Sequence, residues 1–370
     1  MRIVDEGLVC AGVAGGPRAV ATFPSVTVME DGSLAAVYRV GASKDSDGSL
    51  TEIRRSFDEG ASWGEPWSPF DTCFGGVRGS LQVVYLTVVE KGHVMACALW
   101  VDREAFPGAP LFHPETEGCL PMKVLVADSF DGAVTFSEWR EVAVTPDVGP
   151  ASLTNPMVRL PDGRLIVSIE SNKPYLDSGT WMQRVVHCES VDGGRTWSLP
   201  RTVCSDPAGA VFHWDQRLAC DASGTLAAFS WTYDKPGNRY LPVRRHVSQD
   251  GGHSWVTDAL GFADQPSHPA VFPDGRVVLA WVDRYGSRSI RARSAPRLDG
   301  EFAASTEVVL YEAAKEARRT ENTAGLLTDM GLWTFGLPYA EALPNGDALV
   351  VYYAGVEGCM DVRWARCGLF

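Results

Sequence analysis

Glu170 follows the apolar run Leu165 to Ile169, so it stands at the end of a buried strand. A carboxylate there is costly unless a cation such as Lys173 or Arg217 answers it. Burial of that kind raises a carboxyl group's proton affinity toward neutral pH, which suits a general acid. Asp283-Arg284 and Trp214-Asp215-Gln216-Arg217 repeat the theme of a carboxylate beside a guanidinium at the edge of an apolar stretch. Arg39, Lys44, Asp45 and Asp47 leave one such stretch, Trp100, Asp102 and Arg103 a second, and Trp231, Tyr233 and Asp234 a third. His213, Gln265, His268, Trp333 and Tyr339 enter others. Carboxylates move protons, guanidiniums grip acidic or hydroxyl-rich ligands in bidentate fashion, and aromatic faces stack on pyranose rings. Residues of these types delivered to one rim describe a sugar site.

The elements that must deliver them are strands. Apolar hairpins run from Phe23 to Tyr38 around Asp31-Gly32, from Gln82 to Trp100 around Lys91-Gly92, and from Asn155 to Glu170 around Asp162-Gly163. Others run from Arg217 to Trp231 around Ser223-Gly224, from His268 to Val282 around Asp274-Gly275, and from Leu337 to Tyr353 around Asn345-Gly346. Each reads as strand, tight turn and strand. A second signal interleaves with them, the pattern S-x-D-x-G-x-[ST]-W. Its copies begin at Ser56, Ser129, Ser190 and Ser248, with Phe136 in the Trp slot of the second. The Asp can accept amide bonds within the turn while Gly takes a positive φ, so these residues read as scaffold.

Repeated units of this length cannot bury an apolar face singly and must stack or close radially. Six hairpins, each followed by a second, predict six four-stranded antiparallel sheets, an all-β six-bladed β-propeller spanning residues 1–370 as one domain. A small helical insert is expected around 312–319. Strand direction then sorts the faces: the starts of first strands and the ends of second strands emerge together, while the boxed turns and the Asp-Gly turns emerge on the opposite face. The sugar site belongs to the first of these.

The boxed turn resembles the Asp-box, or bacterial neuraminidase repeat, and the register of hairpins is similar to that of the sialidase-like propellers over essentially the whole chain. Asp47-Gly48 leading through Glu52, Arg54 and Arg55 to Ser56 also resembles the sialidase stretch from the catalytic Asp into the first box. The resemblance implies three arginines around a substrate carboxylate, a Tyr nucleophile activated by a Glu, and an Asp as acid–base. Tyr339, Glu170 and Asp47, or Asp45, match those roles. Thr22-Phe23-Pro24 stands where the family has Arg-Ile-Pro, so the first arginine is missing. The implied activity is that of an exo-acting glycoside hydrolase on a terminal sugar other than a plain sialoside, acidic sugars included. Arg39, Asp102, Arg103, Lys173, Trp214, Asp215, Arg217, Tyr233, His268 and Arg284 are its expected substrate contacts. Should Tyr339 not serve, a pair drawn from Glu170, Asp283 and Asp102 would act as acid and base. A non-catalytic carbohydrate-binding propeller, and a polysaccharide lyase working through His213 or His268, are the alternatives.

A net charge of −13 argues against nucleic-acid or anionic-membrane partners. No apolar run reaches the length of a membrane span, and the start, Met1 to Asp5, shows no signal-peptide core. Nine cysteines without a C-x-x-C pair read as reduced thiols, which with the absent leader predicts a cytoplasmic protein, or a secreted one if a leader was trimmed. No metal-ligand spacing or phosphate-binding glycine loop is evident, so no cofactor is expected.

Overall fold

The tight turns form as their sequences require. Asp31 Oδ1 accepts the Ser33 amide at 3.0 Å and Asp274 Oδ1 that of Arg276 at 3.1 Å, with Gly32 and Gly275 at φ 79° and 92°. The strands they join build sheets in a computed structural model of the protein, which describes residues 1–46, 48–314 and 323–369. One antiparallel sheet orders Cys73–Phe74, Val77–Glu90, His93–Asp102, Met122–Ser129 and Arg140–Glu141. A second orders Val158–Arg159, Leu165–Glu170, Arg184–Ser190 and Arg201–Ser205. The third orders Val211–Cys220, Leu226–Asp234, Pro242–Ser248 and Val256–Ala263, with the short Arg239–Tyr240 beside the second strand. A fourth orders Ala270–Val271, Val277–Asp283, Ser289–Ala295 and Val308–Glu312. The last is a seven-stranded sheet: Phe335–Ala342, Ala348–Val356 and Cys359–Gly368 continue into Val20–Val28, Leu34–Gly41 and Leu50–Ser56, and Arg2–Cys10 pairs with Cys359–Gly368. The described chain is thus all-β in a β-propeller arrangement.

First strands of successive sheets are tied to one another around the centre. Ser25 and Thr27 hydroxyls donate to the Val84 and Leu86 carbonyls, Thr87 to that of Met157, and Asn155 Nδ2 to that of Leu218. The Ala340 amide donates to the His268 carbonyl at 3.0 Å. Between sheets lie apolar layers, such as Ala35, Val37 and Ile53 against Leu81, Val84 and Trp100. Each fully buried large side chain contributes roughly 1.5 to 3 kcal/mol.

The four boxed turns share one hydrogen-bond pattern. Ser56 Oγ donates to Asp58 Oδ1 and accepts from the Gly60 amide, both at 2.8 Å, while Asp58 accepts from the Ser62 amide at 2.8 Å and hydroxyl at 2.5 Å. The Ser129, Ser190 and Ser248 turns repeat it, with Ala133 at φ 67° in the second where the others place glycine. Trp63, Phe136, Trp197 and Trp255 pack against apolar clusters as tethers. The helix expected around 312–319 falls mostly outside the described residues, which stop at 314 and resume at 323; Glu312 closes a strand, and the described helix is Thr323–Asp329. No helix among the described residues is long and apolar enough to cross a membrane.

Candidate functional site

Four first strands carry a register slip at the same level. The slips fall between Thr22 and Ser25, Leu81 and Val83, Trp214 and Arg217, and Gly336 and Tyr339. A bulge frees its extra residue from the ladder and re-aims its side chain. Phe23, Gln82, Asp215 and Leu337 occupy these slips, and all four line one cavity of about 470 Å³. Phe23, Asp215 and Leu337 hold φ of 54°, 45° and 46°, a conformation that costs energy in residues with a side chain and clusters at functional sites. Trp181, Trp214 and Trp231 form one wall, Leu111 and Phe112 come from the connection after His93–Asp102, and Leu327 and Met330 come from the helical segment.

Glu170 ends its strand inside this cavity, 6% exposed. Its Oε1 accepts from the Gln216 amide at 2.8 Å and the Thr154 hydroxyl at 3.0 Å. Burial, and then the negative charge of Asp215, push its pKa up to about 8, with the Gln216 amide, Thr154 and Arg217 opposing. Asp215 faces Arg217 Nη2 at 3.8 Å and accepts from Gln265 Nε2. Arg217 is fixed in turn, donating to the Thr154 carbonyl and, at 3.2 Å, to the Tyr85 hydroxyl. Two carboxyl groups therefore sit in one cavity with different environments, a buried acid beside a carboxylate held by a guanidinium.

Asp45 lines the cavity and is held by Arg103, by Gln82 Nε2 at 3.0 Å, and by Arg39 Nη2 at 4.0 Å. Arg39 also donates to Gln82 and to the carbonyls of Lys44 and Ser46, and Arg103 to Ser80 Oγ at 2.7 Å. Both arginines thus serve the Asp45 corner. Lys44 reaches the Met330 carbonyl at 3.0 Å and the Tyr353 hydroxyl at 2.9 Å, and burial, then the charge of Arg284, hold its ammonium well below the usual lysine range.

Of the residues expected from sequence, Glu170, Trp214, Asp215 and Arg217 meet in the cavity. Tyr233 stacks behind Trp214, with ring centroids 5.1 Å apart. Arg284, fully buried, lies 3.8 Å over the Trp333 ring and reaches Gln265, which holds Asp215. Tyr339 does not line the cavity. The bulge at Leu337 and Pro338 turns Leu337 toward the cavity and leaves Tyr339 stacked between His268, at 4.7 Å, and Tyr85, at 6.1 Å. Burial, then Glu341, hold its hydroxyl well above the usual tyrosine range. His268 bonds Asn155 at 2.9 Å, and burial lowers its pKa to about 3.

Three of the expected residues lie elsewhere. Asp102 caps its own loop through the Glu104 and Ala105 amides. Lys173 donates to the Gly179 carbonyl at 2.7 Å. Asp283 accepts from Gly286 and Ser287 and faces a different depression, with Tyr240, Trp281 and Glu307. Each is used by a neighbouring loop, the commonest fate of a polar residue at a strand end. Asp47 lies outside the described residues. Sequence reasoning missed Tyr85, Gln82 and Thr154. For Tyr85 the available signal was a tyrosine inside an apolar strand, whose hydroxyl must find a buried partner.

No family model matches the chain, and no curated protein matches it. Solved structures do. A protein of unknown function from Dyadobacter fermentans superposes with a TM-score of 0.77 at 20% identity, over 100% of this chain and 99% of that one. An α-L-arabinanase from Penicillium chrysogenum, complexed with arabinobiose, gives 0.65 at 15% identity over 100% and 99%. The Hadza microbial sialidase Hz136 gives 0.63 at 16% identity over 95% of this chain and 66% of that one. The fold is sialidase-like, and at these identities the likeness is one of fold.

Proposed function

We propose that this chain is an exo-acting glycoside hydrolase that removes a terminal sugar lacking a carboxylate. The observation that carries the reading is the meeting of Glu170 and Asp215 in one aromatic-walled cavity, the first raised to about 8 partly by the charge of the second. Environments that separate the proton affinities of two carboxyl groups assign acid and base. Glu170 donates its proton to the departing glycosidic oxygen. Asp215, oriented by Arg217 and Gln265, acts on the anomeric carbon directly or through a water, and the anomer released tells which. Asp45, from the same connection as Asp47, supplies a third carboxylate to the cavity.

A sugar without a carboxylate follows from the cations. Thr22, beside the bulge that Phe23 occupies, stands where the sialidase resemblance calls for an arginine, and Arg39 and Arg103 are engaged by Asp45. Arg217 is the guanidinium that lines the cavity among the described residues. The arabinanase of similar fold, complexed with a neutral disaccharide, supports the same class of ligand. We also read the seven-stranded sheet as two blades joined at a single parallel pair, Val20 with Met360, one of them completed by Arg2–Cys10 and the other by the bridge of Trp67 to Ile53. On that count the propeller has six blades, four of them carrying Asp-boxes.

The test is sugar release from a panel of aryl glycosides and oligosaccharides, sialosides included, with Glu170→Gln as control. Release of a neutral glycone that disappears in the variant supports the hydrolase. A silent panel with sugar binding unchanged by the substitution would move the assignment to a carbohydrate-binding propeller.

A further inference from the structure

Cys204 stands in the edge strand Arg201–Ser205, His213 in Val211–Cys220 and His246 in Pro242–Ser248, so two neighbouring sheets contribute. The sulfur and one ring nitrogen from each imidazole all lie within 4.8 Å of one another. All three residues are buried, both histidines to 1% exposure. None lines the substrate cavity: His213 precedes Trp214 in its strand, and successive side chains face opposite ways.

One ring nitrogen of each histidine lacks a protein partner. His213 Nδ1 and His246 Nε2 are buried with no hydrogen bond, and the Ser230 hydroxyl stands against the Cys204 sulfur. His246 Nδ1 is engaged by Thr257 Oγ1 at 2.8 Å, which orients the ring and leaves Nε2 as its available nitrogen. The two rings meet edge to face, with centroids 5.4 Å apart, so their nitrogens can converge on a shared point. Buried polar atoms of native proteins are rarely left without a partner, and two ring nitrogens aimed together beside a thiol call for a common one.

We propose that Cys204, His213 and His246 bind a Zn²⁺ ion that staples the two sheets together. Thiolate sulfur and imidazole nitrogen are the ligands this borderline-soft cation prefers, at about 2.3 Å and 2.0–2.1 Å. Ligand atoms within 4.8 Å reach that geometry by side-chain rotations of about 1 Å. Burial pushes the Cys204 thiol up to about 12, and the ion displaces that proton on binding. A water or the Ser230 hydroxyl fills the fourth position. Burial away from the cavity makes the ion structural. It would anchor the strand that continues into Trp214, Asp215 and Arg217, and it would enter during folding.

The experiment is refolding of the full chain, after denaturation with a chelator, in Zn²⁺ or Co²⁺. One metal per chain is expected, with a thiolate-to-cobalt charge-transfer band and tetrahedral visible bands. Cys204→Ser should lose the charge-transfer band and bind Zn²⁺ about 100-fold more weakly or worse, while Cys220→Ser keeps both. His246→Asn provides a second variant if Cys204→Ser does not fold, and it should show the same weakening. Zn²⁺ should raise the melting temperature of the wild type and not of either ligand variant. Absence of stoichiometric metal after refolding in Zn²⁺, or a charge-transfer band that survives in Cys204→Ser, overturns the proposal.

Discussion

Asp215 Oδ1 and Arg217 Nη2 stand 3.8 Å apart at a strand bulge that holds Asp215 at φ 45°. Neither group is well solvated, so each depends on the other. Arg217 also lends hydrogen bonds to the Thr154 carbonyl and the Tyr85 hydroxyl, and Thr154 donates to Glu170. Replacing Arg217 with Met should destabilise the fold by roughly 3 to 5 kcal/mol, because it leaves a carboxylate uncompensated in a largely buried site. Chemical denaturation measures it. Lysine should recover little, since one ammonium cannot reproduce the fork that serves three acceptors.

Glu170→Gln keeps the acceptor that binds the Gln216 amide and Thr154 but removes the proton that Glu170 would donate. Turnover should fall by about 10²- to 10⁴-fold with little change in substrate binding. The wild-type rate should decline as pH rises through about 8, the value at which Glu170 loses its proton. Asp215→Asn removes the neighbouring charge that helps to raise it, so any residual activity should decline at a lower pH. Stability follows the same linkage. A carboxyl group with a raised pKa keeps its proton in the folded state where the unfolded chain has already lost it. Wild-type stability should therefore fall as pH rises from about 4.3 toward 8. Glu170→Gln should flatten that slope in melting curves taken across the range.

The strands, their turns and the side of the fold that carries the candidate site were legible because period-two alternation and Asp-Gly turns are local signals. Glu170, Trp214, Asp215 and Arg217 could be picked out for the same reason: each interrupts or borders an apolar run. What local pattern could not convey was the bulges, each of which shifts the side-chain alternation by one position. The shift aims Leu337 at the cavity and withdraws Tyr339. Pro24 and Pro338, each lacking the amide a ladder needs, sit within two of these slips and were the available marker. Asp102, Lys173 and Asp283 were indistinguishable in sequence from site residues because loop capping and catalysis draw on the same polar types. The Cys204, His213 and His246 cluster joins two sheets, so no spacing along the chain announces it.

Tyr339 offers a direct comparison of two mechanisms. Its ring is held by His268 and Tyr85, contacts that phenylalanine preserves. If the carboxyl pair does the chemistry, Tyr339→Phe should retain turnover within about tenfold, the scale of one lost neutral hydrogen bond. A tyrosine nucleophile would instead lose turnover by orders of magnitude. Steady-state rates on the best substrate of the panel decide between them.

The boxed turns set the response to acid. Hydrogen bonds from Thr135 hold Asp131 at about 2, and Asp58, Asp192 and Asp250 are lowered by the matching Ser or Thr of their own turns. A carboxylate with a lowered pKa contributes stability that is present above its unfolded value, near ~3.9, and is lost as pH falls through the folded one. Asp192→Ala should therefore lower the melting temperature at pH 7, where its bonds to Ser190 and Thr196 are intact. The gap between variant and wild type should narrow as pH falls from about 4 toward 2, because the unfolded chain's aspartate then takes a proton that the folded turn still excludes. A gap for Asp192→Ala that stayed constant across that range would mean the aspartate acts through shape alone and its charge contributes nothing.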